Sequence, residues 1–299
     1  MDKNYNVCVA GLGSMGMGAA RSCILAGLKT FGVDVDSFKC QTLIDYGALA
    51  AGAYCEYADN LDAVLLLLVN SDQCRTVLFG ENGLACRMKP GAAVMMSSTI
   101  ATKEAKDIAQ NLSKYGLFVL DAPVSGGALK ANKGDMTVMA SGTNAAFEKL
   151  QPLLDAIAGK VYKIGEEIGL GSTVKIIHQL LAGVHIAAGA EAMALAARSN
   201  IPLDVMYDVV THAAGNSWMF ENRMKHVVEG DYSPKSAVDI FVKDLGLVSE
   251  TGLSLKFPLP LANTAYSMFS AASNAGFGEQ DDAAVIKIFS GIELPDKDK

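Results

Sequence analysis

The sequence predicts an α/β fold: an N-terminal doubly wound Rossmann domain followed by an all-α C-terminal domain, joined by a long interdomain helix. Three observations carry this. Short apolar runs alternate with helical patterns as far as about residue 165, strand-like runs vanish after it, and a glycine-rich turn follows the first run. Continuous apolar strands alternating with helices imply a parallel sheet covered on both faces.

The elements follow in order. YNVCVAG leads into SMGMGAARSCILAG, KTFGVDVD into SFKCQTLIDYG, and DAVLLLLVN into SDQCRTVLFG. AAVMMSST precedes ATKEAKDIAQNLSKYG, LFVLDAPVSGG comes next, and DMTVMASG precedes NAAFEKLQPLLDAIAG before KVYKIG closes the series. Beyond it, helices are expected over 170–199, 203–213, 216–229, 236–254, 260–275 and 281–289. Pro202, Pro234 and Pro258 stand near helix starts, where a missing N–H is tolerated. The expected domains are therefore 1–167 and 168–299.

Composition bounds the function. With 51% hydrophobic and 19% charged residues the chain has material for a large core, which excludes disorder. A net charge of −7 with no basic stripe argues against nucleic acid as a partner. Residues 176–190 are uncharged but include two histidines and a glutamine, and a membrane span wants about 20 apolar residues. No membrane segment or signal peptide is expected. All six cysteines fall in the first 86 residues without a C-x-x-C pair, and they read as reduced, buried thiols of a cytoplasmic protein. The helical half carries more apolar surface than one small domain buries, which predicts a homodimer or homotetramer.

The loop Gly11–Leu12–Gly13–Ser14–Met15–Gly16 lies between a predicted strand and a predicted helix. Gly11 permits a tight turn, Gly13 lets the backbone approach a pyrophosphate, and Gly16 lets helix and strand pack closely. The helix N-terminus then faces the phosphates with unpaired N–H groups. Asp34 closes the next strand, 23 positions after Gly11, where a carboxylate can accept from ribose hydroxyls and repel a 2′-phosphate. No arginine follows before Lys39, so the expected cofactor is NAD. Asp36 competes with Asp34 for this role, and Asp34 also reads as a strand-end turn residue.

Two further features have double readings. In PVSGG, Ser125 offers a hydroxyl and Gly126 and Gly127 unhindered N–H groups, a nest for a carboxylate or a plain turn. Lys175 heads a long apolar helix, with His178 and Gln179 on the same helical face. It is a functional group held out of water, or a lysine that snorkels.

DAPVSGGALKANKGDMTVMASG (121–142), GLGSTVKIIHQ (169–179) and FVKDLGL (241–247), with the N-terminal GLGSMG, resemble motifs of the β-hydroxyacid dehydrogenase family. That family includes 3-hydroxyisobutyrate dehydrogenase, tartronate semialdehyde reductase and 6-phosphogluconate dehydrogenase. The resemblance covers nearly the whole chain, in the same order. It implies that Ser125, Gly126 and Gly127 hold the substrate's acid group and that Lys175 is catalytic. It implies that Gln179, where the family usually has asparagine, orients the reacting oxygen, and that His178 meets a substrate hydroxyl. Lys243 matches a lysine at the nicotinamide and substrate end, although it could be a solvated lysine paired with Asp244. Thr99 matches a nicotinamide-side threonine, although it could cap the next helix. Leu68 and Val69 replace the family's frequent Leu-Pro and are carried as backbone contacts. His185, His212 and His226 show no ligand spacing, and no metal is expected.

As a base, a lysine with a reference pKa of about 10.4 needs desolvation and the positive nicotinamide to lower it. The decarboxylating member carries a glutamate seven residues after its lysine, whereas Ala182 stands here. Oxidation of a small hydroxy acid without decarboxylation is the expected reaction. KIIHQLLAGVHIAAGAEAMALA (175–196) is similar to the branch that acts on L-threonate, a four-carbon sugar acid. Alternatives are reduction of tartronate semialdehyde or another short semialdehyde acid, an imine reductase, or a dinucleotide sensor without chemistry.

Overall fold

A computed structural model describes residues 4–297 of the chain, which forms two compact units that divide between Lys175 and Ile176. The first is built on one sheet. Its strands are β1 (Asn6–Ala10), β2 (Lys29–Val33), β3 (Ala50–Gly52), β4 (Ala63–Leu66), β5 (Ala93–Met96), β6 (Phe118–Asp121), β7 (Val124–Ser125), β8 (Met136–Ser141) and β9 (Ala158–Gly165). They lie in the order β3-β2-β1-β4-β5-β6-β8-β7, with β9 also paired to β8.

The sequence explains this arrangement by its period of two. Val7 and Val9 of β1 and Leu65 of β4 enter one core, while Cys8, Ala10, Val64 and Leu66 enter another on the opposite face. Neither face can be polar, because helices cover both. On the first lie α1 (Ser14–Leu25) and α6 (Asn144–Ile157), whose Ala19, Ala20, Leu150 and Leu153 are buried there. On the second lies α4 (Thr102–Ser113), which buries Ala105, Ile108 and Leu112. The order 3-2-1-4-5-6 reverses between β1 and β4, and in such sheets ligands bind beyond the strand ends at that reversal.

Two features depart from the parallel strands expected from the sequence: an antiparallel edge and an added short strand. The segment LFVLDAPVSGG is not one strand: it breaks at Pro123, which has no N–H for a ladder, into β6 and β7. Strand β8 pairs antiparallel with both. The short β3 also carries no sequence signal, because Ala50–Gly52 has no bulky residue to mark a strand. Five cysteines are buried free thiols, but Cys86 is exposed.

The division between units falls within α7 (Leu170–Arg198). The second unit continues with α8 (Leu203–Thr211), α9 (Trp218–Glu229), α10 (Val238–Leu255) and α11 (Pro260–Ala272). Its core includes Ile176, Ile186, Ala190 and Met193 of α7, with Phe241 of α10 stacked on Phe269 of α11 at 5.1 Å. Composition alone would let α7 cross a membrane, yet these four side chains are buried in protein. Helix α9 starts at Trp218 because the Ser217 side chain accepts from Phe220 N–H at 3.0 Å. The last expected helix is a 3₁₀ segment, Asp282–Ile288, preceded by a π turn at Ser273–Phe277.

Candidate active site

At the end of β1 the chain turns at Gly11, whose φ of +91° suits glycine. A Cβ there would stand 2.5 Å from the Leu67 carbonyl oxygen, and one at Gly16 would stand 1.7 Å from the Gly11 oxygen. Gly13 differs, since a Cβ on it would meet nothing within 4 Å. That open space lies at the N-terminus of α1, which has no side-chain cap and no acidic residue in its first turn. Unpaired N–H groups beside an open surface are what a pyrophosphate requires, so Gly11 to Gly16 fit a dinucleotide.

Asp34 fixes this loop to β2. Its Oδ2 accepts from Leu12 N–H at 2.7 Å and its Oδ1 from Asp36 N–H at 2.9 Å. Each carboxylate oxygen retains a second acceptor site for a ribose hydroxyl. Asp36 is engaged elsewhere, capping α2 (Ser37–Asp45) by accepting from Phe38 and Lys39 N–H groups. The first cation after Asp34, Lys39, pairs with Asp36 at 3.4 Å.

Beyond β4, Leu68 N–H donates to Ser98 Oγ and Val69 N–H to Gln73 Oε1, each at 2.9 Å. Ser98 therefore holds the loop that carries both residues, and its neighbour Thr99 follows β5. Thr99 does not cap α4: the residue at that cap is Ala101.

In the DAPVSGG segment, Gly126 and Gly127 have φ of +130° and +65°. A Cβ at Gly126 would strike the Lys130 side chain at 2.7 Å, whereas one at Gly127 would meet nothing within 4 Å. The turn thus demands glycine and leaves its second residue open. Asp121, which begins the segment, carries no sequence signal of its own. Its buried carboxylate accepts from Gly169 N–H and Ser172 N–H at 2.9 Å and from Ser172 Oγ at 2.6 Å. Burial pushes the Asp121 carboxyl above its usual range, and the donors from Ser172 and Gly169 pull against that shift. Asp121 so ties the start of α7 to the turn that carries Ser125. Lys175 follows Ser172 by three residues, on the same helical face, and is only 7% exposed.

In the second unit Gln179 is at the centre of a polar set. Its Nε2 donates to Asp244 Oδ2 at 2.6 Å, and its Oε1 lies 3.0 Å from His178 Nδ1. Lys243 Nζ is 2.8 Å from Asp244 Oδ1. The Lys243–Asp244 pair therefore forms, but around a carboxylate that is 2% exposed and also bonded to Gln179. Asp244 is the other participant that sequence reasoning misses, because beside a lysine on a helix it resembles an ordinary surface partner. Among the described residues no group of three His, Cys, Asp or Glu side chains could hold a metal.

Comparison with known proteins adds to this geometry. A family profile described as the NAD binding domain of 6-phosphogluconate dehydrogenase matches residues 6–165. A second, described as NAD-binding of NADP-dependent 3-hydroxyisobutyrate dehydrogenase, matches residues 169–289. The chain is 68% identical to L-threonate dehydrogenase of Pectobacterium atrosepticum, over 98% of this chain and 97% of that one. It is 66% identical to L-threonate dehydrogenase of Escherichia coli strain K12, over 97% of each. A crystal structure described as 3-hydroxyisobutyrate dehydrogenase from Salmonella typhimurium superposes with a TM-score of 0.92 at 65% identity, covering 95% of this chain and 100% of that one.

Proposed function

The chain belongs to the NAD-binding β-hydroxyacid dehydrogenases, the family of 6-phosphogluconate and 3-hydroxyisobutyrate dehydrogenases, and from that premise we propose that it oxidises L-threonate to its 2-oxo acid with Lys175 as proton acceptor. Membership makes it an NAD-dependent oxidoreductase acting on a small hydroxy acid. The observation that carries the finer reading is the His178–Gln179–Asp244 set on and beside the helix of Lys175. A branched-chain hydroxy acid such as 3-hydroxyisobutyrate offers a methyl group where this set offers polar atoms. The relatives named L-threonate dehydrogenase, 66–68% identical, support the same substrate.

NAD⁺, when bound, supplies the acceptor for the hydride that leaves the carbinol carbon. The protein's part is to hold both reactants and to move the proton. Gly11, Leu12, Gly13, Ser14, Met15 and Gly16 hold the pyrophosphate, and Asp34 holds the adenosine ribose. Leu68, Val69, Thr99 and Lys243 contact the cofactor toward its nicotinamide end. Ser125, Gly126 and Gly127 bind the substrate carboxylate, fixing one end of a four-carbon chain. Gln179 orients the oxygen under oxidation, and Lys243 and His178 engage the rest of the substrate. Lys175 Nζ takes the hydroxyl proton as the carbon–oxygen double bond forms. In the reverse direction the protonated Nζ returns it to the carbonyl oxygen.

The preference for NAD over NADP rests on Asp34, whose charge repels a 2′-phosphate, and on the engagement of Lys39 by Asp36. A homodimer or homotetramer is supported by the outward side chains Ile177, Leu181 and Leu195 of α7, all more than half exposed. A cytoplasmic location agrees with six free thiols.

The test is a screen of NAD⁺ reduction with L-threonate, the erythronate isomers, glycerate, 3-hydroxyisobutyrate and 4-hydroxybutyrate, repeated with NADP⁺. The expected result is the highest kcat/KM with L-threonate and NAD⁺. A higher value with 3-hydroxyisobutyrate would match the activity named for the Salmonella protein and overturn the L-threonate reading.

A further inference from the structure

The amide of Gln179 is bonded at both ends, and that fixes its polarity. Asp244 is a carboxylate beside the Lys243 ammonium, so it accepts and the group facing it at 2.6 Å is the Gln179 NH₂. The Gln179 oxygen then faces His178 Nδ1 at 3.0 Å. An amide oxygen only accepts, so Nδ1 must carry the hydrogen. Neutral imidazole has one N–H, and the lone pair is therefore on Nε2. An asparagine at 179 would be one methylene shorter and could not keep both bonds without a shift of the helix.

We propose that Asp244 is a positioning residue that acts through Gln179 to hold His178 as its Nδ1–H tautomer, so that Nε2 accepts from a substrate hydroxyl beyond the one oxidised. This rests on the reading of Lys175 and its helix as the substrate site. It explains a preference by class. A hydroxyl can donate to the Nε2 lone pair, a methyl or methylene cannot, and a carbonyl oxygen there would face another acceptor. The site selects polyhydroxy acids over deoxy and oxo acids of the same length.

The tautomer is directly measurable. With four histidines in the chain, imidazole ¹⁵N spectra can be assigned for His178 by subtraction of a His178→Gln spectrum. In the substrate-free wild-type protein the spectrum is expected to show hydrogen on Nδ1. Asp244→Asn presents an amide that can face Gln179 either way round, so His178 should become a mixture of tautomers. The ratio of kcat/KM for L-threonate over 2-hydroxybutyrate should fall about three- to tenfold, mainly through KM for L-threonate. Gln179→Asn should move the spectrum in the same way should Asp244→Asn fail to fold. Hydrogen on Nε2 in the wild type would overturn the proposal, as would an unchanged tautomer and unchanged ratio in Asp244→Asn. A wild-type protein with hydrogen on Nδ1 that ignores L-threonate supports the relay and overturns the substrate reading instead.

Discussion

The Asp121 carboxylate receives the Ser172 hydroxyl at 2.6 Å, and Ser172 stands three residues before Lys175 on α7. One buried acid thus joins the turn proposed to bind the substrate's carboxylate to the helix proposed to take its proton. The same carboxylate accepts from two backbone N–H groups at the start of that helix, which have no acceptor within it.

Asp121→Ala removes the acceptor for three close donors, and each buried donor left unpaired costs about 1–3 kcal/mol. The expected result is a large fall in thermal stability. Ser172→Ala removes one hydroxyl and should cost about 1 kcal/mol, with a small shift in Tm. Calorimetry of both variants checks the order. NADH titration of Ser172→Ala should give a near wild-type Kd while kcat falls, because the change loosens the helix of Lys175 and spares the nucleotide loop.

The two glycines that flank the start of α1 should separate fold from cofactor. A methyl at Gly16 would lie on the Gly11 carbonyl, so Gly16→Ala should fail to give stable protein. A methyl at Gly13 meets no protein atom, so Gly13→Ala should keep its Tm and weaken NADH by about tenfold or more, that is, about 1.4 kcal/mol or more. Equal NADH affinity in Gly13→Ala and wild type would remove the pyrophosphate from this loop.

Asp282 should make stability depend on pH. Buried and facing Arg223 at 2.7 Å, its carboxyl is pushed up by desolvation to about 7, against 3.8 in an unfolded chain. Between about pH 4 and 7 the folded protein retains a proton that the unfolded chain has released, so this contribution to stability is present at the low end and lost as pH rises. The effect is on the order of a few kcal/mol. Chemical denaturation across that range should show the slope in wild type, and Asp282→Asn should flatten it.

Much of this was legible in the sequence, for identifiable reasons. The strand and helix alternation, the glycine loop and Asp34 are local signals, read over a few residues and placed by the structure at the reversal of strand order. Gln179 stood out because it departs from an expected asparagine. The antiparallel edge was hidden because Pro123 divides a run that is apolar on both sides. Asp121 and Asp244 were hidden for a different reason: their partners lie 51 and 65 positions away, at Ser172 and Gln179, and no local pattern reports such a pairing.

Lys175 is proposed to move the substrate's proton and not to hold the cofactor. The direct measurement compares Lys175→Ala with wild type, with NADH affinity and L-threonate oxidation determined on the same preparations. The expected result is turnover lowered by roughly two to four orders of magnitude, the range for loss of a general base, with NADH Kd nearly unchanged. Lys175→Ala that retains substantial turnover, or that loses NADH in proportion to activity, would contradict it.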